Sequence, residues 1–127
     1  MKIEQCTAMI TGAASGIGET TTRQMVKAGA RVAMLDLNAE RGERIAAELG
    51  DAAIFCQTDV SSESDMEKTV AKVKETLGTV HIVVNCAGIG GSVKIVGRDG
   101  VMPMEAFNSR VQVNLVGTFT VIRAAAP

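Results

Sequence analysis

The stretch Thr11-Gly12-Ala13-Ala14-Ser15-Gly16-Ile17-Gly18 decides the fold. It comes after a short β-prone run, Gln5–Thr11, and opens a helix-compatible segment reaching about Lys27, with Gly29 placed as a C-terminal cap. Glycines at 12, 16 and 18 strip Cβ atoms from the turn, so that backbone N–H donors can approach an anion closely. The start of the helix adds unpaired donors and a favourable dipole. Strand, glycine turn and helix in that order predict a phosphate cradle. A tight turn with no ligand is the alternative.

Outward from this turn the alternation repeats. Arg31–Leu35 reads as a buried strand, Asn38 as the cap of a helix to about Leu49, and Ala52–Gln57 as a third strand. Ser62 and Asp65 have capping-box spacing, and Met66, Val70, Val73 and Leu77 share one face of the next helix. Val80–Val84 is a fourth strand, apolar except for His81. Residues 88–102 are glycine-rich without periodicity and read as a loop. Pro103 suits a first helical turn, and an apolar helix is expected from about Met104 to Pro127. Short, continuously apolar strands alternating with helices imply parallel pairing with both sheet faces covered. The expected class is α/β, a doubly wound parallel sheet of Rossmann type, with four strands and their helices in one domain over residues 1–127.

The glycine turn acquires a partner at the end of the second strand. Asp36 directly follows Val32-Ala33-Met34-Leu35, where a carboxylate can accept hydrogen bonds from ribose hydroxyls and repel a 2′-phosphate. Leu37 comes next, and Ala13, Ala14 and Ser15 supply no cation. The expected cofactor is therefore NAD rather than NADP. A solvated turn carboxylate is the plainer account of Asp36.

Composition closes off other chemistries. The 127 residues include three Phe, one His and no Trp or Tyr, so phenol chemistry and two-His metal sites are excluded; no metal site is expected. Thirteen basic against fourteen acidic residues give a net charge of −1, which argues against a nucleic-acid partner. No apolar run approaches the roughly 18 residues of a membrane span, and the first residues lack a secretory apolar core. Cys6, Cys56 and Cys86 are odd in number and widely spaced, consistent with reduced thiols and a cytoplasmic location. His81 is expected to be satisfied by a neighbour. Glu40, Arg41, Glu43, Arg44 and Glu48 are expected to pair at i,i+4 along their own helix.

With these residues in place the chain resembles the short-chain dehydrogenases/reductases. The likeness rests on TGAASGIG at 11–18, Asp36, the Asp59-Val60 pair, Asn85-Cys86-Ala87-Gly88 and Asn114, in the family's order over nearly the whole chain. The resemblance implies cofactor contacts at Gly12, Ser15, Gly16, Ile17, Gly18, Asp36, Asp59, Val60, Asn85, Cys86, Ala87 and Gly88. Asp59 would bond the adenine amino group, with the Val60 backbone seating the ring. Asn114 would be the one catalytic-relay residue present, its backbone carbonyl holding a water. Asn85-Cys86-Ala87-Gly88-Ile89 and the run Val113 to Phe119 are closer still to the type II 3-hydroxyacyl-CoA dehydrogenase branch. That likeness implies hydride transfer between NAD and a secondary alcohol such as a 3-hydroxyacyl-CoA, and places Lys94 and Arg98 near the phosphates of CoA, although solvated loop charges are the plainer account.

The family's general base is the Tyr of a YxxxK motif, preceded by a Ser on an earlier strand, and neither occurs here. The expectation is therefore an N-terminal part of a longer enzyme, carrying the cofactor half. The intact enzyme would be a homo-oligomer, tetramer or dimer, with the Asn114 helix at a subunit interface. The competing expectation is a non-catalytic NAD-binding module.

Overall fold

Four strands, β1 (Thr7–Thr11), β2 (Arg31–Asp36), β3 (Ala53–Gln57) and β4 (Ile82–Asn85), form a parallel sheet in the order β3-β2-β1-β4 in the computed structural model, which describes residues 1–127. Helices α1 (Gly16–Lys27) and α2 (Ala39–Leu49) carry the chain outward from β1 to β3. Helix α3 (Glu63–Leu77) then returns it to the far side of β1. Strand order thus reverses between β1 and β4, and the crevice of such a switch lies at the carboxyl ends of the strands. Register aligns those ends: Thr11 pairs with both Leu35 and Asn85. Gly12, Asp36 and Cys86 consequently leave the sheet along one edge.

At the central strands β1 and β2 both faces of the sheet are buried, successive side chains pointing to opposite sides. Ala8, Ile10, Val32 and Met34 pack with Ile45 on one face; Met9, Ala33 and Leu35 pack with Met66, Val70, Val73 and Leu77 on the other. Each fully buried Ile, Leu or Met side chain stabilises the fold by roughly 1.5–3 kcal/mol. The α3 stripe read from the sequence is therefore its core face. Gly42, in the middle of α2, leaves room for the Phe55 ring, from which a Cβ there would lie 2.0 Å unless the ring moved.

Several local expectations shift. Ile3–Gln5 forms one 3₁₀ turn, so β1 begins at Thr7. His81 lies just before β4: its Nδ1 accepts from the Thr7 N–H at 3.1 Å while its own backbone N–H donates to the Thr7 carbonyl. A side-chain acceptor thereby starts the ladder. The 88–102 loop contains a small hairpin, β5 (Val96–Gly97) with β6 (Gly100–Val101), turning on Arg98-Asp99. The last helix is α4 (Met104–Val111) and α5 (Thr118–Ala125) joined by a π-helical segment, Gln112–Gly117. The segment ends where the backbone meets Val60, and a Cβ on Gly117 would come 2.8 Å from Val60 Cγ2. Arg41 and Glu48 pair across to α1, with Glu19 and Arg23, instead of along α2. No helix is long and apolar enough to cross a membrane.

Candidate functional site

A cavity of about 340 Å³ opens at the carboxyl ends of the strands, within the size range of small-molecule sites. One wall is the glycine turn: Gly12, Ser15, Gly16, Ile17 and Gly18. The three glycines serve different purposes. A Cβ on Gly12 would sit 2.8 Å from Ala87 N, and one on Gly18 only 2.0 Å from the Gly12 carbonyl oxygen, so both let backbone pack on backbone. At Gly16, with φ +53°, nothing lies within 4 Å of an added Cβ. Gly16 is required by its left-handed backbone, and the space beside it is open.

The donors of this cradle are free. The first bond of α1 runs from the Glu19 N–H to the Ser15 carbonyl, and Ser15, its N-cap, makes no side-chain cap. By contrast Asn38 and Ser62 cap α2 and α3 with their side chains. The first amides of α1 therefore have no partner in the helix and carry its positive dipole end, which suits a phosphate.

Asp36 is the only charged residue lining the cavity. Its Oδ2 accepts from the Ala14 N–H at 3.0 Å and its Oδ1 from the Asn38 N–H at 2.9 Å. A carboxylate offers about four acceptor sites, so capacity for further donors remains on the cavity side. Leu35, Leu37, Thr58 and Val60 continue this wall. Thr58 and Thr69 hydroxyls share a buried hydrogen bond of 2.9 Å that ties the end of β3 to α3.

The opposite wall is Cys86, Ala87, Gly88 and Ile89, with Val113 behind. Thr11 Oγ1, buried at the end of β1, accepts from both the Cys86 and Ala87 N–H groups, at 3.2 and 3.1 Å. Asn114 holds the next residue from the helix side. Its Oδ1 accepts from the Ile89 N–H at 2.8 Å and its Nδ2 donates to the Ile89 carbonyl at 2.9 Å. Gly88 makes room for this clamp, since a Cβ there would lie 3.2 Å from Asn114 Oδ1. The Asn114 backbone carbonyl lies in the π-helical segment and accepts from Thr118 Oγ1 at 2.8 Å.

Ten of the residues expected around the cofactor or in the relay — Gly12, Ser15, Gly16, Ile17, Gly18, Asp36, Val60, Cys86, Ala87 and Gly88 — line the cavity together, while Asp59, Asn85 and Asn114 stand behind it. Asp59 Oδ1 accepts from both the backbone N–H and the hydroxyl of Ser61, and the Asp59 N–H donates to Asp65 Oδ2 at 2.8 Å. Asp65 thus uses the spacing of a capping box while its carboxylate braces the Asp59 loop. Leu35, Leu37, Thr58, Ile89 and Val113 join the lining without having been expected there; strand register signals Leu35, Ile89 and Val113 lie in the runs of the branch likeness, and Leu37 and Thr58 depend on tertiary closure. Lys94 and Arg98 lie in a separate, open cavity on the hairpin.

The short chain dehydrogenase family model matches residues 6–127. The chain is 36% identical over 126 residues to 3-hydroxyacyl-CoA dehydrogenase type-2 of Drosophila melanogaster, covering 98% of this chain and 49% of the relative. It is 40% identical over 121 residues to the Homo sapiens protein of the same name, covering 94% and 46%. It therefore spans about half the length of these curated relatives. The crystal structure of 3-ketoacyl-(acyl-carrier-protein) reductase from Brucella melitensis complexed with NADH superimposes with a TM-score of 0.86 at 38% identity, over 95% of this chain and 49% of that one. A short-chain dehydrogenase/reductase structure of the glucose/ribitol dehydrogenase type, also from Brucella melitensis, gives 0.92 at 30% identity over 100% and 53%. With the parallel sheet, the glycine turn and the matched length in agreement, the chain belongs to the short chain dehydrogenase family.

Proposed function

We propose that this chain is the cofactor-binding part of an NAD-dependent dehydrogenase acting on a secondary alcohol, with a 3-hydroxyacyl-CoA or a similar thioester as the substrate class. The observation that carries the reading is the open Gly16 cradle facing Asp36 across one cavity with no cation in its lining. Gly16, Ile17 and Gly18 would receive the pyrophosphate on free backbone donors, and Asp36 would accept from the adenosine ribose. Thr58, Val60 and Leu37 would flank the adenine, with Asp59 beside it. Cys86 to Ile89 would form the opposite wall, held by Thr11 and Asn114. A bound nicotinamide supplies hydride acceptance and donation. The substrate class draws on the type-2 relatives, and the cofactor on Asp36 and the NADH-complexed neighbour.

A homo-oligomer belongs to the same reading: Met104, Phe107, Leu115, Phe119 and Ile122 stand exposed along the last helix, an apolar row suited to burial. Cytoplasmic residence fits three free thiols. A non-catalytic NAD-binding module is the second reading, since the cavity between the glycine turn and Asp36 accounts for binding alone.

Titration with NADH and NADPH, followed by nicotinamide fluorescence, tests the cofactor. NADH should bind at least about tenfold tighter, the worth of one well-placed hydrogen bond; equal affinities would sink the assignment. Adding a 3-ketoacyl-CoA to the NADH-loaded protein separates the two readings. Loss of NADH overturns the module reading, and an unchanged signal overturns catalysis by these 127 residues on their own.

A further inference from the structure

We propose that Asp36 is a positioning residue of the glycine turn, setting the direction of its phosphate-facing amides before any cofactor arrives. Two consecutive amides of the turn are tied to two consecutive residues at the end of β2. The Ala13 N–H donates to the Leu35 carbonyl at 3.2 Å and the Ala14 N–H to Asp36 Oδ2 at 3.0 Å. The first is a main-chain bond that any residue at position 35 could accept. The second depends on a side chain of the right length carrying charge, and bonds from an amide to a carboxylate are roughly twice as strong as neutral ones.

The carboxylate is itself fixed. Its other oxygen accepts from the Asn38 N–H at 2.9 Å, an Asx-type turn that holds the side chain in one orientation. Asn38 in turn caps α2 through the Arg41 N–H at 3.0 Å. One carboxylate therefore joins the start of α2 to the turn that precedes α1. Ala14 is essentially fully buried, so its N–H has no ready replacement in solvent. With the Ala13 and Ala14 amides engaged on β2, those of the next residues are the ones left facing the cavity. Recognition of the ribose and orientation of the pyrophosphate cradle are in this way assigned to the same side chain. Removing Asp36 to admit a 2′-phosphate would disorder the phosphate site as well.

Only the ribose half of this inference rests on the NAD reading, and the experiment separates them. Amide hydrogen exchange is measured by NMR on the cofactor-free protein, comparing wild type, Asp36→Ala and Asp36→Asn. In Asp36→Ala the Ala14 amide should exchange more than about tenfold faster, while Met9 and Met34 in the core strands keep their rates. Asp36→Asn should fall between, because its single carbonyl oxygen cannot replace both carboxylate oxygens. An unchanged Ala14 rate overturns the proposal, as does a parallel rise at Met9 and Met34, which would signify general destabilisation. As a second arm, Asp36→Ala should bind an NAD analogue lacking both adenosine-ribose hydroxyls about tenfold more weakly than wild type does. Equal affinity for that analogue overturns it. If wild type binds neither NAD nor the analogue, the cofactor reading fails while the exchange arm still decides.

Discussion

Replacing Gly18 by Ala tests the glycine turn where the structure makes the sharpest demand. The usual effect of Gly→Ala inside a helix is stabilisation by up to about 1 kcal/mol. Here the new Cβ would lie 2.0 Å from the Gly12 carbonyl oxygen, 2.6 Å from its carbon and 3.1 Å from the Ala13 Cα. All three are backbone atoms, so no rotamer change relieves the overlap. The turn must move by roughly 1 Å against the Ala87 amide that packs on Gly12, and overpacking of this kind costs about 1–3 kcal/mol or more. Allowing for the helix gain, the expected net loss is about 2 kcal/mol, or a fall in melting midpoint of about 8 °C for a chain of this size. Urea unfolding followed by circular dichroism measures it. Gly90→Ala is the control: it lies in the exposed loop with nothing within 4 Å of an added Cβ, and its stability should stay within about 1 kcal/mol of wild type. A Gly18→Ala protein as stable as wild type, or more so, refutes the close-packing argument for the turn.

Thr11→Val keeps the shape of a buried side chain but orphans the Cys86 and Ala87 amides; a loss of about 2–6 kcal/mol in urea is expected, at 1–3 per buried unpaired group. Asn114→Leu removes both bonds to Ile89 at an exposed site, so the expected loss is about 1 kcal/mol, with faster exchange confined to the Ile89 amide. Burial raises the Cys56 thiol pKa above its ordinary range, with the Lys72 charge opposing as the smaller cause. The unfolded chain then releases that proton at lower pH than the native one, so stability should decline as pH rises past about 8.5. In Cys56→Ala, denaturation midpoints measured across that range should lose this part of the slope.

The chain order of the elements was legible because each carried a local cause: glycine at the turns, caps at Asn38 and Ser62, and an apolar stripe on α3. The cavity was legible where the residues sit at strand ends, since parallel register brings Gly12, Asp36 and Cys86 to one edge. The parts that escaped depend on contacts distant in sequence. Gly42 reads as a weak helix position until Phe55 of β3 is placed against it. Ile89 and Val113 reach the cavity only once the Asn114 clamp closes the loop onto the last helix. Asp65 has the right spacing for its own helix cap, yet commits its carboxylate to the Asp59 amide. The β5–β6 hairpin turns on Arg98-Asp99, which carries no hairpin-turn signature; its one local mark is Gly100, at φ +110°.

The π-helical segment Gln112–Gly117 also governs where this chain can change length. An α-helix advances about 100° per residue, and a π-segment absorbs one extra residue while the flanking helices keep their facing. Within its first half, Val113 and Asn114 address the cavity wall; beyond it, Val121, Ala124 and Ala125 meet the core beneath the sheet. Losing one residue within the segment would let a regular helix form with both faces still in register. Losing one from α5 itself, between Gly117 and Val121, would swing the core-facing residues round by about 100° and expose them. Loss of one residue should therefore be tolerated better at Leu115 or Val116, within the widened turn, than between Gly117 and Val121.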